Sequence, residues 1–335
     1  MKICIVGRGD GWMGTHLSHF SDGFRSLGHV VHVADYRLWD KRGFDLSALI
    51  HPDSARMRRQ TMQLKRLLGE LKPHVLVVVP ARKIFDFDSI RESFPGKIIF
   101  YDMDGPASSC FENGLEWIRK VDLLLSVSPV MVKRLVRSGF DNVEYLAHGV
   151  DTNYYCPISP SPEEKVRFGS PVAFVGKPSE RRAEYLEAIA DLGLTVWGKR
   201  WAQKPYSYNP VLSSCSKEKV NILREDLIKL NRSTVVMTNI LREPLMDIMN
   251  LQVFSIPATG TCLVTEWVEE IEDSFDLGNE ILAFKTVDDF RETVAMVVND
   301  TKRAMKIGEA GRKRCMAQHT HSHRARMILG MLDKR

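Results

Sequence analysis

Short runs of β-branched and apolar residues, separated by segments of helical periodicity, fill most of this 335-residue chain. In the first half the runs are KICIV (2–6), HVVHVA (29–34), HVLVVV (74–79), KIIFY (97–101), DLLLSV (122–127) and NVEYL (142–146). Several are apolar throughout, as a strand covered on both faces must be and a half-exposed antiparallel strand need not be. Segments 14–27, 54–71 and 129–138 lie between them with apolar residues three or four apart, the stripe of a helix packed on a sheet. That alternation is the βαβ repeat of a doubly wound parallel sheet.

The repeat breaks between Ala147 and Pro171, where Pro157, Pro160, Pro162 and several serines form a linker-like stretch. It resumes with strands at 171–176, 194–198, 234–239, 262–266 and 280–284, and with helices at 179–191, 218–230, 286–299, 301–317 and 320–333. A chain of this length is comfortable with two cores. The expectation is an N-terminal Rossmann-like domain over 1–150 and a second after the linker, with a ligand crevice outside the carboxyl ends of the strands.

Charged residues make up 27% and hydrophobic residues 44% of the chain, a globular balance that excludes a disordered or fibrous protein. No stretch approaches the ~18–20 apolar residues of a membrane helix, and MKICIVGRGD runs directly into a strand without the plan of a signal peptide, so a cytoplasmic location is expected. The six cysteines are scattered, with no CxxC pair or zinc spacing, and read as reduced, buried small hydrophobes. From Lys302 onward the chain carries ten Lys or Arg against Glu309 and Asp333. Such a region can meet nucleic acid or an anionic membrane surface, but its charges are interleaved with an apolar helical pattern, which favours a solvated helix face.

After the first strand comes GRGDGWMGTH, in which Gly9, Gly11 and Gly14 fit GxGxxG and Asp35 closes the second strand. This is the layout of a dinucleotide fingerprint with its ribose-binding acid, so an NAD(P)-binding oxidoreductase is one reading. The fingerprint begins two residues late, however, because the glycine directly after the strand is Gly7. Less specifically, Gly11 and Gly14 let backbone N–H groups at the start of the 14–27 helix approach a diphosphate.

The second half carries a more specific pattern. NLQVFSIPATGTCLVTEWVEEIEDSFDLGNEILAF (250–284) and IGEAGRKRCMAQHTHSHRARMIL (307–329) closely resemble the C-terminal domain of the CgeB-like glycosyltransferases, relatives of the glycosyl transferase group 1 enzymes. HGVDTNYYCP (148–157) is similar to the interdomain linker of that family, FVGKPSERRAEYL and VWGKRW to the opening of its donor domain, and YDMDGP (101–106) to its aspartate-rich turn. The resemblance implies a GT-B fold: two Rossmann-like parallel-sheet domains facing across a cleft, with a C-terminal helix crossing back to the N-terminal domain. The acceptor domain would be 1–150, the donor domain 151–318 and the returning helix 319–335. It further implies sugar transfer from a nucleotide-sugar donor with retention of configuration, with no cofactor beyond that co-substrate.

The same resemblance directs attention to particular residues. Lys177, Arg181 and Arg182 follow a strand at a helix start, where a diphosphate leaving group would be clamped without a metal ion. Gly198, Lys199 and Trp201 follow the next strand, with Trp201 expected beside the donor. Ser255, expected to open a helix with Phe254, stands where the family has a ribose-binding glutamate, and Gln252 where it has arginine. Gly260 and Glu280 are expected beside the same pocket. These two departures keep open a third reading, a non-catalytic sugar-nucleotide binding protein. Asp102 and Asp104 form an Asp-x-Asp whose expected roles are to orient or deprotonate an acceptor hydroxyl and to cap a helix, rather than to hold a metal. His148 is expected to face the cleft as a candidate catalytic residue, His16 to lie on a helix surface, and His319, His321 and His323 to be structural.

Overall fold

The computed structural model describes residues 1–9, 11–40, 52–79, 85–105, 111, 114–201, 209–218, 225–242 and 246–334. The chain divides into two compact units, Met1–His148 with His321–Arg335, and Gly149–Thr320.

The first unit runs β1 (Lys2–Gly7), α1 (Gly11–Arg25), β2 (Val30–Asp35), α2 (Pro52–Leu71), β3 (Val75–Val79), α3 (Phe87–Ser93), β4 (Lys97–Asp102), β5 (Leu123–Ser126), α4 (Pro129–Arg137) and β6 (Val143–Tyr145). The strands pair in the order β2-β1-β3-β4-β5-β6, all parallel. Ile3, Ile5, Leu76 and Val77 are wholly buried in the sheet centre. Each such side chain contributes roughly 1.5–3 kcal/mol against exposure, which is why these runs carry no polar alternation. On one face Phe87, Phe100 and Trp117 pack with ring centroids 4.4–5.8 Å apart.

The second unit runs α5 (Pro162–Phe168), β7 (Ser170–Val175), α6 (Glu180–Glu187), β8 (Leu194–Trp197), α7 (Pro210–Cys215), β9 (Ser216–Glu218), α8 (Glu225–Ser233) and β10 (Thr234–Asn239). It continues with α9 (Leu251–Ala258), β11 (Cys262–Glu266), α10 (Ile271–Ser274), β12 (Leu282–Phe284), α11 (Val287–Asn299) and α12 (Thr301–Gln318). Its sheet is also parallel, in the order β12-β11-β10-β7-β8-β9. The Pro-rich stretch expected as pure linker holds α5. Ser161 accepts from the Glu164 N–H while the Glu164 carboxylate accepts from the Ser161 N–H, a reciprocal cap that starts a helix where the prolines alone suggest none. Of the helix expected over 218–230, residues 219–224 lie outside the described residues and α8 supplies the remainder.

The last helix, α13 (His321–Leu332), belongs to the first unit and packs on α1. The approach is close: a Cβ on Gly23 of α1 would fall 2.5 Å from the His321 carbonyl oxygen. Arg324 of α13 donates from Nε to the carbonyls of Ala147 and His148, 3.0 Å to each, and so ties the helix to the end of β6. Among the described residues no helix is long and apolar enough to cross a membrane. The five described cysteines are free, and burial pushes the Cys4 and Cys262 thiols up to about 12.

Candidate functional site

In the second unit every strand points its carboxyl end to one edge, where open α/β sheets bind ligands. There β7 runs into Gly176 and Lys177, β8 into Gly198 and Lys199, β10 ends at Asn239 and β11 at Glu266. Two helices begin at this edge. Ser179 caps α6 by accepting from the Arg182 N–H at 3.3 Å, and Asn250 caps α9 by accepting from the Gln252 N–H at 3.0 Å.

A polar lattice holds the strand ends together. Asn239 Nδ2 donates to Thr265 Oγ1 at 2.9 Å and to Asn250 Oδ1 at 3.2 Å, while Asn250 Nδ2 donates to Asn239 Oδ1 at 3.0 Å. Glu266 accepts from the Leu241 N–H at 2.9 Å and from both terminal nitrogens of Arg181, one at 2.9 Å. Arg182 is buried, and donates from Nε and Nη2 to Ile240 O and from Nη1 to Lys177 O. Burial, then the nearby Arg242 charge, lowers its pKa to about 10, so it is still cationic at neutral pH. Gln252 Nε2 donates to Val175 O at 3.1 Å, linking the first turn of α9 to β7.

The structure therefore brings Lys177, Arg181, Arg182, Gly198 and Lys199 to one edge, with different duties. Lys177 and Lys199 are exposed there, whereas the guanidinium groups of Arg181 and Arg182 are engaged in building it. Gly198, at φ +151, closes the turn after β8, where a Cβ would overlap the Gly176 carbonyl. Asn239, Asn250, Thr265 and Glu266 are not among the site residues expected from the sequence; for all but Asn250 the signal is present in the polar residues that end the runs TVVMTN and CLVTE.

Four expectations for this unit are corrected. Trp201 is wholly buried, packs against Phe174 and donates to Gly176 O at 2.8 Å, so its indole is core and cannot stack on a donor. Ser255 does not open a helix; α9 begins at Leu251, and Ser255 sits inside it at 2% exposure. Gly260 lies past the far end of α9, beside the start of β11, at the opposite edge of the sheet. Glu280 lies before β12 on that same far side, its carboxylate taken up by Arg314 Nε at 2.7 and 3.0 Å and by the Asp276 N–H.

In the first unit α1 opens at Gly11, and a Cβ on Gly14 would sit 2.4 Å from the Gly9 carbonyl oxygen, so the loop folds tightly onto the first turn of the helix. Asp35 accepts from Arg37 through N, Nε and Nη2 at 2.7–3.1 Å. Burial alone would raise its pKa, but the hydrogen bonds from Arg37 and from the Gly9 N–H hold it below the usual carboxylate range. The acid that a dinucleotide enzyme would turn toward a ribose is here engaged on both oxygens by the chain itself.

Asp102 and Asp104 share a turn but not a role. Asp102 is buried and accepts from Ser126 Oγ at 3.0 Å and from the Asp104 N–H at 3.3 Å, which shapes the turn. Asp104 is half-buried, and burial raises its pKa, a shift in the direction a proton-transfer group at neutral pH needs. His148 is 3% exposed and His16 only 4%, so the first is not open to solvent and the second is no surface residue. The His16 ring lies 5.7 Å from that of His148 and 5.0 Å from that of His321, centroid to centroid. Burial, then the Arg324 charge, lowers the His148 pKa to about 4, and His16 and His321 are lowered well below their ordinary value. His319 belongs to the second unit, between Phe254 and Phe275, with Nε2 2.9 Å from Ser274 O.

Compared with solved structures, the chain is similar along its whole length to sucrose-phosphate synthase (tll1590) from Thermosynechococcus elongatus, at TM-score 0.69 and 10% identity over 100% of this chain and 98% of that one. It is equally similar to Anabaena Alr3699/HepE in complex with UDP and glucose, at TM-score 0.69 and 12% identity over 100% of both chains. The lipopolysaccharide outer core galactosyltransferase WaaB, in its apo form, follows at TM-score 0.62 and 13% identity, over 100% of this chain and 99% of that one. At such identities the likeness is one of fold, and the fold is GT-B, two Rossmann-like units each on a six-stranded parallel sheet. No curated protein matches the sequence. Residues 181–330, which include Arg181, Arg182, the Asn239–Thr265 lattice and Glu266, match the family described as glycosyl transferase-like.

Proposed function

We propose that this chain is a CgeB-like glycosyltransferase that moves a sugar from a nucleoside diphosphate donor, held at the carboxyl edge of the second unit, to an acceptor hydroxyl served by the first. The observation that carries the reading is that the glycosyl transferase-like match over 181–330 takes in Arg181, Arg182, Asn239, Asn250, Thr265 and Glu266, the polar lattice of that edge. The UDP and glucose bound by HepE, a protein of the same fold, support a nucleotide-sugar as the donor class.

When the glycosidic bond breaks, charge develops on the diphosphate, and fixed positive charge there lowers the barrier. Lys177 after β7, and Lys199 with its neighbour Arg200 after β8, are exposed cations, and the capped starts of α6 and α9 direct N–H groups toward the same edge. Arg181 and Arg182 hold that surface in place. These charges can neutralise the leaving group without a metal ion, and we take the reaction to be metal-independent and retaining. Asp104 is the candidate to accept or orient the acceptor proton. Transfer or donor hydrolysis, followed by release of the nucleoside diphosphate, should survive EDTA. Activity abolished by chelation and restored by manganese would overturn metal independence, and donor binding without any turnover would favour a binding protein, in keeping with Ser255 and Gln252.

A further inference from the structure

At the edge of the second unit opposite the candidate site lies a groove of ≈ 440 Å³. Its floor is the start of β10 and β11, and its wall is one face of α12, with Thr301, Met305 and Arg312 pointing along it and Arg232, Ser233 and Gly260 opposite. Gly260, at φ +78, brings two arginines together: a Cβ built there would lie 3.4 Å from Arg232 Nη1 and 3.8 Å from Arg312 Cδ. Arg312 uses Nη1 to cap the carbonyl of Ala258 at the end of α9, and Arg232 uses Nε and Nη1 for Ile158 O and Gly260 O. Capping the end of α9 accounts for the donors Arg312 Nη1 and Arg232 Nη1, and Arg232 Nε is taken by the linker carbonyl of Ile158. A guanidinium has five, and among the described residues no carboxylate forms an ion pair with either side chain. Glu309 also lines the groove and, among the described residues, forms an ion pair with neither.

Two cations converging on one glycine, against the middle of α12, favour an anion that supplies several acceptor oxygens. The volume is that of a small-molecule site rather than of a bare ion. Pro157, Val235 and Met305 offer apolar contact, and Thr301 offers a hydroxyl. We infer that this groove is a second ligand site, remote from the carboxyl edge, for a small phosphate monoester of a polyol, with Arg232 and Arg312 on the phosphate. The inference stands apart from the proposed transfer reaction. α9 spans the sheet from Asn250 at one edge to Gly260 at the other, so occupancy of the groove bears on the helix that caps the candidate site.

Calorimetric titration with glucose 6-phosphate, inorganic phosphate and glucose tests the site on the intact protein. Glucose 6-phosphate should bind once per chain with a Kd of about 1 mM or tighter, phosphate more weakly, and glucose not at all. Met305 is 64% exposed, so Met305→Glu leaves the arginine caps intact and places a negative charge in the groove. It should weaken binding by roughly tenfold or more, as should Arg312→Gln, while Glu309→Gln tightens it and Lys177→Ala leaves it unchanged. No saturable binding, binding that survives Met305→Glu, binding lost in Lys177→Ala, or inorganic phosphate binding as tightly as the ester, an adventitious ion only, would each overturn the inference.

Discussion

Arg181, in the first turn of α6, and Glu266, at the last position of β11, form a two-pronged ion pair across the edge of the sheet, with Arg181 Nη1 2.9 Å from Glu266 Oε2. The Leu241 N–H donates to the same oxygen at 2.9 Å. The arginine that the sequence marks as a phosphate clamp is thereby a strut between β11 and α6, and the exposed Lys177 is the better candidate to meet the donor. Lys177→Ala should weaken donor binding about tenfold, on the order of 1.4 kcal/mol, with an unchanged melting temperature. Arg181→Ala should instead lower stability by about 1–3 kcal/mol, because it leaves the Glu266 carboxylate unpaired. Calorimetry and urea unfolding of the two variants separate these outcomes; an unchanged Kd in Lys177→Ala would move the donor away from β7.

Trp201 fills the core of the second unit and donates to a backbone carbonyl. Trp201→Ala should cost about 3–5 kcal/mol in denaturant unfolding, while the folded fraction keeps its donor affinity. Loss of binding with stability retained would return Trp201 to the site.

Ser255 is nearly inaccessible within α9, which is wholly apolar around it from Val253 to Ala258 apart from this hydroxyl. Restoring the family residue by Ser255→Glu buries a carboxylate with no cation provided, and should destabilise the chain by several kcal/mol without tightening the donor. Ser255→Ala should leave donor affinity unchanged. A stable Ser255→Glu variant with improved affinity would show that α9 can present this position to the ligand.

His16, His148 and His321 are buried together, and all three have pKa values lowered from 6.5. Their unfolded forms take up protons at a higher pH than their folded forms. Stability is therefore fully present above about 6.5, and is lost as the pH falls toward about 4, where His148 titrates in the folded chain. Melting temperature followed over that interval should drop steeply, and His148→Gln should flatten the slope. A profile flat from pH 7 to 4.5 would contradict the burial of the cluster.

Much of the fold is legible because strands covered on both faces must be apolar throughout, as VLVVV of β3 and CLVTE of β11 are nearly or wholly. What escapes is local. β9 is the three polar residues Ser216–Glu218 at a sheet edge, with no hydrophobic period to announce it. α9 carries Pro257 in its interior, where sequence rules expect a break. The site is harder to read than the fold, because a motif fixes order along the chain and not which edge of the sheet a residue reaches. Gly260 follows Ser255 closely in sequence and Glu280 comes after the next strand, yet α9 and the strand direction carry both to the far edge from Lys177. Trp201 was misread for a related reason: an aromatic after a strand points either to a crevice or to the core, and only the packing on Phe174 decides.

The central claim, that the second unit holds a nucleotide-sugar, is tested most directly by the shift in melting temperature of the whole chain with UDP-, GDP-, ADP-, CMP- and dTDP-sugars set against NAD and NADP. Ligand at 100 times its Kd adds about 2.7 kcal/mol to the folded state, which is several degrees for a unit of this size. The account predicts that one nucleoside diphosphate sugar raises the melting temperature, that the rise is reduced in Lys177→Ala, and that neither dinucleotide has an effect. Stabilisation by NAD or NADP alone, lost when Asp35 is replaced by Ala, would contradict it and return the function to the glycine loop of the first unit.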